Sequence, residues 1–152
     1  METYTIIREI SNEEDMQAFG CSLVNILHPG QTVFLKGPLG AGKTTLVRAI
    51  LQALGVKGPV RSPTYTLVES YTGCGLNLYH FDFYRFKDPV ELEEAGFREL
   101  FSKDTICMVE WPENAAEFMP EADLVIEIDY FGLGRKIRVT SNRVRLDFLE
   151  NI

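Results

Sequence analysis

The sequence predicts an α/β fold in three layers: a mixed, mostly parallel sheet with helices on both faces and an antiparallel edge hairpin. Three observations carry that expectation. A short apolar strand, "TVFLK" at 32–36, runs into the glycine-rich turn "GPLGAGKTT" and then into a segment with helical apolar spacing, the order of a βα unit. "TICMVE" at 105–110 has a continuous apolar core, as in a strand buried on both faces. "LVIEIDY" and "KIRVTS" alternate apolar with polar residues around Phe131–Gly134, the pattern of an antiparallel hairpin with one solvated face.

Taken in chain order, residues 3–10 read as a strand. Ser11, with Glu14 three residues later, forms a capping box for a helix whose apolar stripe is Met16, Phe19, Leu23, Ile26 and Leu27. His28-Pro29-Gly30 ends it. After the strand at 32–36, Leu46, Val47, Ile50, Leu51 and Leu54 mark the buried face of a second helix, which Gly55 stops. "TYTLVESY" (64–71) and "LNLYHFDFY" (76–84) read as strands joined across Thr72–Gly75. Asp88 caps a further helix with Pro89 at its first position and Glu91 facing its positive end.

Length and composition bound the function. A chain of 152 residues, 45% hydrophobic, fits one domain over 1–152 that buries roughly 70% of its unfolded surface. The excess of 22 acidic over 15 basic residues leaves a net charge of -7, the wrong sign for gripping a phosphate backbone. DNA is therefore not an expected partner. Glu2, Arg8 and Glu9 interrupt the N-terminus, and no apolar run approaches the ~20 residues of a membrane span; a cytoplasmic, membrane-free protein is expected. Cys21, Cys74 and Cys107 are odd in number and lack a C-x-x-C pair, which suits free thiols better than a disulfide framework or a zinc site.

The strongest chemical signal is Gly37-x-x-x-x-Gly42-Lys43-Thr44, a P-loop pattern between strand and helix. Its presence makes the expected fold P-loop NTPase-like. Glycines let successive backbone N–H groups turn toward phosphates, so the expected nucleotide cradle is Gly37, Gly40, Ala41, Gly42, Lys43, Thr44 and Thr45. Lys43 reaches the β and γ oxygens, and Thr44 offers its hydroxyl to Mg²⁺. Two acids stand at strand ends: Glu110, after Ile106–Val109, holds the metal or orients the attacking water, and Asp82, after Leu78–Phe81, is the second candidate catalytic carboxylate. Thr64, in Ser62-Pro63-Thr64-Tyr65, lies where a switch segment brings a hydroxyl to the metal.

Two other residues have competing readings. Trp111, the only tryptophan, is either core packing or a switch-coupled, partner-facing residue. His80 reads as a strand residue rather than a catalytic base. The basic residues Arg135, Lys136, Arg138, Arg143 and Arg145 read as a solvated face.

ATP is the expected nucleotide, because no guanine-reading Asn-Lys-x-Asp occurs. The residues alone leave three functions open: an ATPase, a small-molecule kinase, or an assembly factor that binds nucleotide without hydrolysis. "GPLGAGKTT", "SPTYTLVESY", "YHFDFYR" and "VEWPE", in that order, resemble the TsaE family, bacterial ATPases that support threonylcarbamoyladenosine modification of tRNA. The resemblance spans nearly the whole chain and implies a compact P-loop ATPase using ATP and Mg²⁺. It implies TsaD and TsaB as protein partners, tRNA engaged only indirectly, and hydrolysis that serves repeated cycles of modification. It places Lys43, Thr44 and Thr45 on nucleotide and metal, Thr64 in a switch, Asp82 near the site and Glu110 on Mg²⁺. Gly134-Arg135 is a further candidate nucleotide contact.

Overall fold

The computed structural model describes residues 3–88, 90–94 and 96–141. In chain order the elements are β1 (Tyr4–Ile10), α1 (Glu13–Leu23), β2 (Thr32–Lys36), α2 (Lys43–Ala53), β3 (Val68–Gly73), β4 (Leu76–Asp82), α3 (Val90–Glu94), β5 (Thr105–Glu110), β6 (Leu124–Phe131) and β7 (Gly134–Ser141). Short 3-10 helices occupy Val24–Ile26, Phe97–Leu100 and Pro112–Phe118.

Among the described residues, one sheet contains all seven strands, in the order β1-β7-β6-β2-β5-β4-β3. Its centre is parallel: β6, β2, β5 and β4 run the same way. Pairings β1–β7, β7–β6 and β3–β4 are antiparallel, so β1 also shares the central direction and the sheet is mixed but mostly parallel. The hairpin expected around Phe131–Gly134 forms with Phe131 opposite Gly134. Because β1 adds outside β7, that hairpin stands one strand in from the edge.

The uninterrupted burial of β5 follows from its place between β2 and β4 with both faces covered. Alternate residues feed two cores. Val33, Leu35, Leu78, Ile106 and Met108 pack with Phe19 and Leu23 of α1 and Leu46, Val47, Ile50 and Leu51 of α2; each such large side chain removed from water contributes roughly 1.5–3 kcal/mol. Gly20 permits the close approach of the two helices, since a side chain there would start 2.6 Å from the Ala49 Cβ. On the opposite face the core is aromatic. Phe81 stacks on Phe101 at 5.0 Å and tilts against Phe83 at 5.7 Å, under the cover of α3 and the 3-10 segments Phe97–Leu100 and Pro112–Phe118.

Four local expectations are corrected or refined. The cap of α1 is Asn12, not Ser11: its side chain accepts the Asp15 N–H at 2.8 Å, so Asn-x-x-Asp displaces Ser-x-x-Glu by one residue. β3 begins at Val68 rather than Thr64, because the Leu67 N–H bonds the Pro63 carbonyl at 2.8 Å and closes 63–67 into a turn. Its partner β4 ends at Asp82, with Phe83 and Tyr84 beyond the strand. The expected stop of α2 holds: Gly55 N–H bonds Gln52 O and Val56 N–H bonds Leu51 O, the paired bonds of a Schellman end; α1 instead stops at Leu23, with Ile26 in a following 3-10 turn and Leu27 already extended, ahead of His28-Pro29-Gly30. The Asp88 side chain accepts the Val90 N–H at 3.0 Å. Pro89, Arg143 and Arg145 lie outside the described residues.

Candidate functional site

The site lies at the carboxyl ends of the central parallel strands, where α/β sheets bind ligands. Strand β2 delivers the chain to Gly37, whose φ is +149°, and Gly42 caps α2 with φ +111°. Both angles exclude ordinary side chains, and a Cβ on Gly37 would also run into the Ile128 carbonyl. These two glycines fix the loop's path, and the N-terminus of α2 presents its unpaired N–H groups at its end.

Lys43 opens α2 and folds back across the loop. Its ammonium donates to the Gly37 carbonyl and to the Pro38 carbonyl at 3.1 Å, and it lies 4.2 Å from the centre of the Trp111 ring, a cation–π distance. Burial pulls its pKa below the ordinary lysine value, against the opposing charges of Glu110, Asp82 and Glu113. Thr44 follows. Its hydroxyl donates to both oxygens of Glu110, at 3.1 and 3.0 Å, which spends the hydroxyl proton on the protein and leaves the oxygen lone pairs for another acceptor-seeking group.

Glu110 sits directly opposite Asp82 in the β4–β5 register, so the adjacency of two parallel strands pairs the two predicted acids. Both are buried. Glu110 Oε2 also lies 2.5 Å from His80 Nε2. The Asp82 carboxylate accepts the Tyr84 N–H at 2.9 Å. Burial pushes the Asp82 carboxyl above the usual range; the Tyr84 bond opposes this, and the Glu110 charge adds to it.

One cleft of about 370 Å³ gathers Gly40, Ala41, Gly42, Lys43, Thr44, Thr45, Thr64, Asp82 and Glu110. Of the predicted site residues Gly37, Gly134 and Arg135 are outside its lining; Gly37 acts through its carbonyl on Lys43. Thr64 reaches the cleft, with its hydroxyl 2.6 Å from that of Ser62. Leu39, Tyr84, Arg85 and Trp111 complete the walls. Trp111 is half-buried there, lining the cleft while packing against the aromatic core, and its φ of +57° is rare for a bulky side chain. The Tyr84 ring tilts against it at 42°, with centroids 5.0 Å apart. Arg85 lies 4.7 Å over the exposed Tyr65 ring. The sequence assigns neither Arg85 nor Tyr84 a role; their adjacency to Asp82 and their place in "YHFDFYR" are the signals that point to them.

Arg135 meets the loop from its other side. Its Nε donates to the Ala41 carbonyl at 2.8 Å, its guanidinium lies 4.4 Å over the Tyr130 ring, and Tyr130 donates to the Leu39 carbonyl at 2.7 Å. The β6–β7 hairpin thus draws loop carbonyls outward. Tyr130 carried no sequence signal for this.

The donor set suits a hard cation. Thr44 and Glu110 offer oxygens, and no group of three His, Cys, Asp or Glu residues that could form a closed metal cage occurs among the described residues. Mg²⁺ is held in this manner, by one or two protein oxygens together with phosphates and waters.

The electrostatics of Asp82 yield a signed prediction. Its raised value means that the folded chain holds the proton more tightly than the unfolded chain. The associated stability is complete below the unfolded value near ~4 and is lost as pH rises through the folded value. Asp82→Asn should therefore raise Tm at pH 8, with the gain vanishing toward pH 4. Thermal melts across that pH range check it; a gain independent of pH, or a lower Tm at pH 8, contradicts it.

Comparisons with known proteins place the chain among relatives over most of its length. The family model described as "Threonylcarbamoyl adenosine biosynthesis protein TsaE" matches residues 10–137. A tRNA threonylcarbamoyladenosine biosynthesis protein TsaE from Haemophilus influenzae is 46% identical over 144 residues, covering 91% of this chain and 90% of the relative. The Bacillus subtilis protein of the same description is 37% identical over 121 residues, covering 80% of this chain and 75% of that one. The crystal structure of Bacillus subtilis YdiB superposes with a TM-score of 0.72 at 29% identity, covering 93% of this chain and 88% of YdiB.

Proposed function

The chain belongs to the TsaE family, and from that premise we propose that it is an Mg²⁺-dependent ATPase of threonylcarbamoyladenosine synthesis, one domain over 1–152 that hydrolyses ATP to keep a TsaD–TsaB complex cycling on tRNA position 37. The observation that carries the proposal is the join of Thr44 to Glu110 at 3.0–3.1 Å beside the Lys43 loop. A phosphate cradle alone binds nucleotide. A strand-end carboxylate locked to the cradle's threonine gives the site a fixed place for a metal and for a polarised water.

In this reading the backbone N–H groups of Gly40 through Thr45 bind the phosphates, and Lys43 exchanges the carbonyls of Gly37 and Pro38 for β and γ oxygens. Thr44 and Glu110 would hold Mg²⁺, which when bound neutralises charge on the phosphates. Thr64 is the switch residue on the facing loop. Asp82 orients the attacking water with Glu110. Trp111 and Tyr84 screen the cleft from bulk water, which strengthens the electrostatic interactions inside it. Arg135 and Gly134 flank the nucleoside side of the loop. TsaD and TsaB complete the site from outside, and the net charge of -7 suits docking on a basic protein surface better than holding tRNA directly.

Phosphate release by the isolated chain, with and without TsaB and TsaD, tests the proposal. Hydrolysis is expected to be slow alone and to rise with the partners in a salt-sensitive manner. ADP formed only in step with a phosphorylated small-molecule acceptor would identify a kinase instead. No ADP under any of these conditions would identify a nucleotide-binding assembly factor.

A further inference from the structure

His80 is one of the most completely enclosed polar residues in the molecule, with no exposed surface. It stands opposite Met108 in the β4–β5 register, two residues before Asp82. One ring nitrogen, Nε2, lies 2.5 Å from Glu110 Oε2. The other, Nδ1, has no hydrogen-bond partner. A buried polar atom left without a partner is costly, so the ring is placed here for what its other nitrogen does.

A carboxylate oxygen only accepts, so Nε2 carries the hydrogen and the tautomer is fixed by the contact. Both Glu110 oxygens receive Thr44, but only Oε2 receives the imidazole. The two oxygens are therefore inequivalent. We propose that His80 is a positioning residue for Glu110, pinning Oε2 to the protein so that Oε1 alone is presented to the metal side of the cleft. This inference rests on the nucleotide-hydrolysing reading above for its consequence, but not for its geometry. Histidine and carboxylate partners that orient a metal-binding group typically change metal affinity or activity by ~10–100-fold when removed.

The side-chain reach of amides supplies the test. Gln places its amide nitrogen near the position of Nε2, whereas Asn places it near Nδ1, out of reach of Glu110. His80→Asn should raise the Mg²⁺ concentration needed for half-maximal tightening of a fluorescent ADP analogue by about tenfold, and His80→Gln should stay within about threefold of the parent. Affinity for the analogue in metal-free buffer should be unchanged in both. Equal behaviour of the two variants, or a loss of metal-free affinity in His80→Asn, overturns the proposal. Because either variant can misfold, ¹⁵N-histidine NMR of the unaltered chain provides a second reading. The buried ring should show the Nε2–H tautomer, and the Nδ1–H tautomer would overturn the assignment. If the parent chain fails to hydrolyse ATP while the tautomer and the Asn/Gln difference persist, the enzymatic reading fails and the positioning role stands.

Discussion

Lys43→Ala is expected to weaken ATP and ADP binding by about 10²-fold, because hydrogen bonds to charged groups contribute ~1.5–3 kcal/mol each and this ammonium would make at least one to the phosphates. Its present partners make the prediction specific. The Gly37 and Pro38 carbonyls and the Trp111 ring hold the buried cation at the mouth of the loop, so a phosphate group meets an ammonium that is already positioned. Alanine removes the charge and leaves the loop's glycine geometry in place, so the fold should survive. Titration with a fluorescent nucleotide and a parallel thermal melt measure both. ATP affinity within about threefold of the parent protein would remove Lys43 from the phosphate site.

Glu110→Gln is expected to act on the other side of the reaction coordinate, lowering kcat by about 10²–10³-fold, the scale seen when one preorganised electrostatic group is lost from a transition state. The amide preserves the size of the side chain and an acceptor for the Thr44 hydroxyl. It removes the negative charge that, in the proposed reaction, would face the metal and the water. Affinity for ADP in metal-free buffer should therefore change by less than about threefold, since the hydrogen bonds of Glu110 to the cradle run through Thr44 and its charge acts on Lys43 without contacting the phosphates' N–H groups. Equal losses of nucleotide affinity in the Lys43 and Glu110 variants would contradict the division of roles between them.

Much of this site is legible in the chain because its parts are local. The P-loop needs its glycines, lysine and threonine within nine consecutive positions, Gly37 to Thr45, and the burial of β5 announces itself as an apolar run ending in Glu110. The pairing of Asp82 with Glu110 and of His80 with Glu110 is not local; it depends on β4 lying next to β5 in register, which no spacing encodes. The reading of His80 as a strand residue was right about its element but missed its bond to Glu110. Tyr130 and Arg135 reach the P-loop across more than ninety residues, because β6 pairs with β2 and the β7 hairpin folds over the loop. The misplaced cap of α1 has a different cause. Ser11 and Asn12 are both good caps, each with an acid three residues on, and local chemistry does not choose between them.

The central claim is that nucleotide hydrolysis by this chain sustains repeated threonylcarbamoyl transfer, and it is tested most directly by counting modified tRNA per TsaD over time in a reaction containing TsaB, tRNA, ATP and the threonylcarbamoyl donor. With the parent chain, product should accumulate through many turnovers, and with Lys43→Ala or with no added chain it should stop after a single round. Continued turnover in the absence of the chain, or equally fast turnover with Lys43→Ala, would contradict the account.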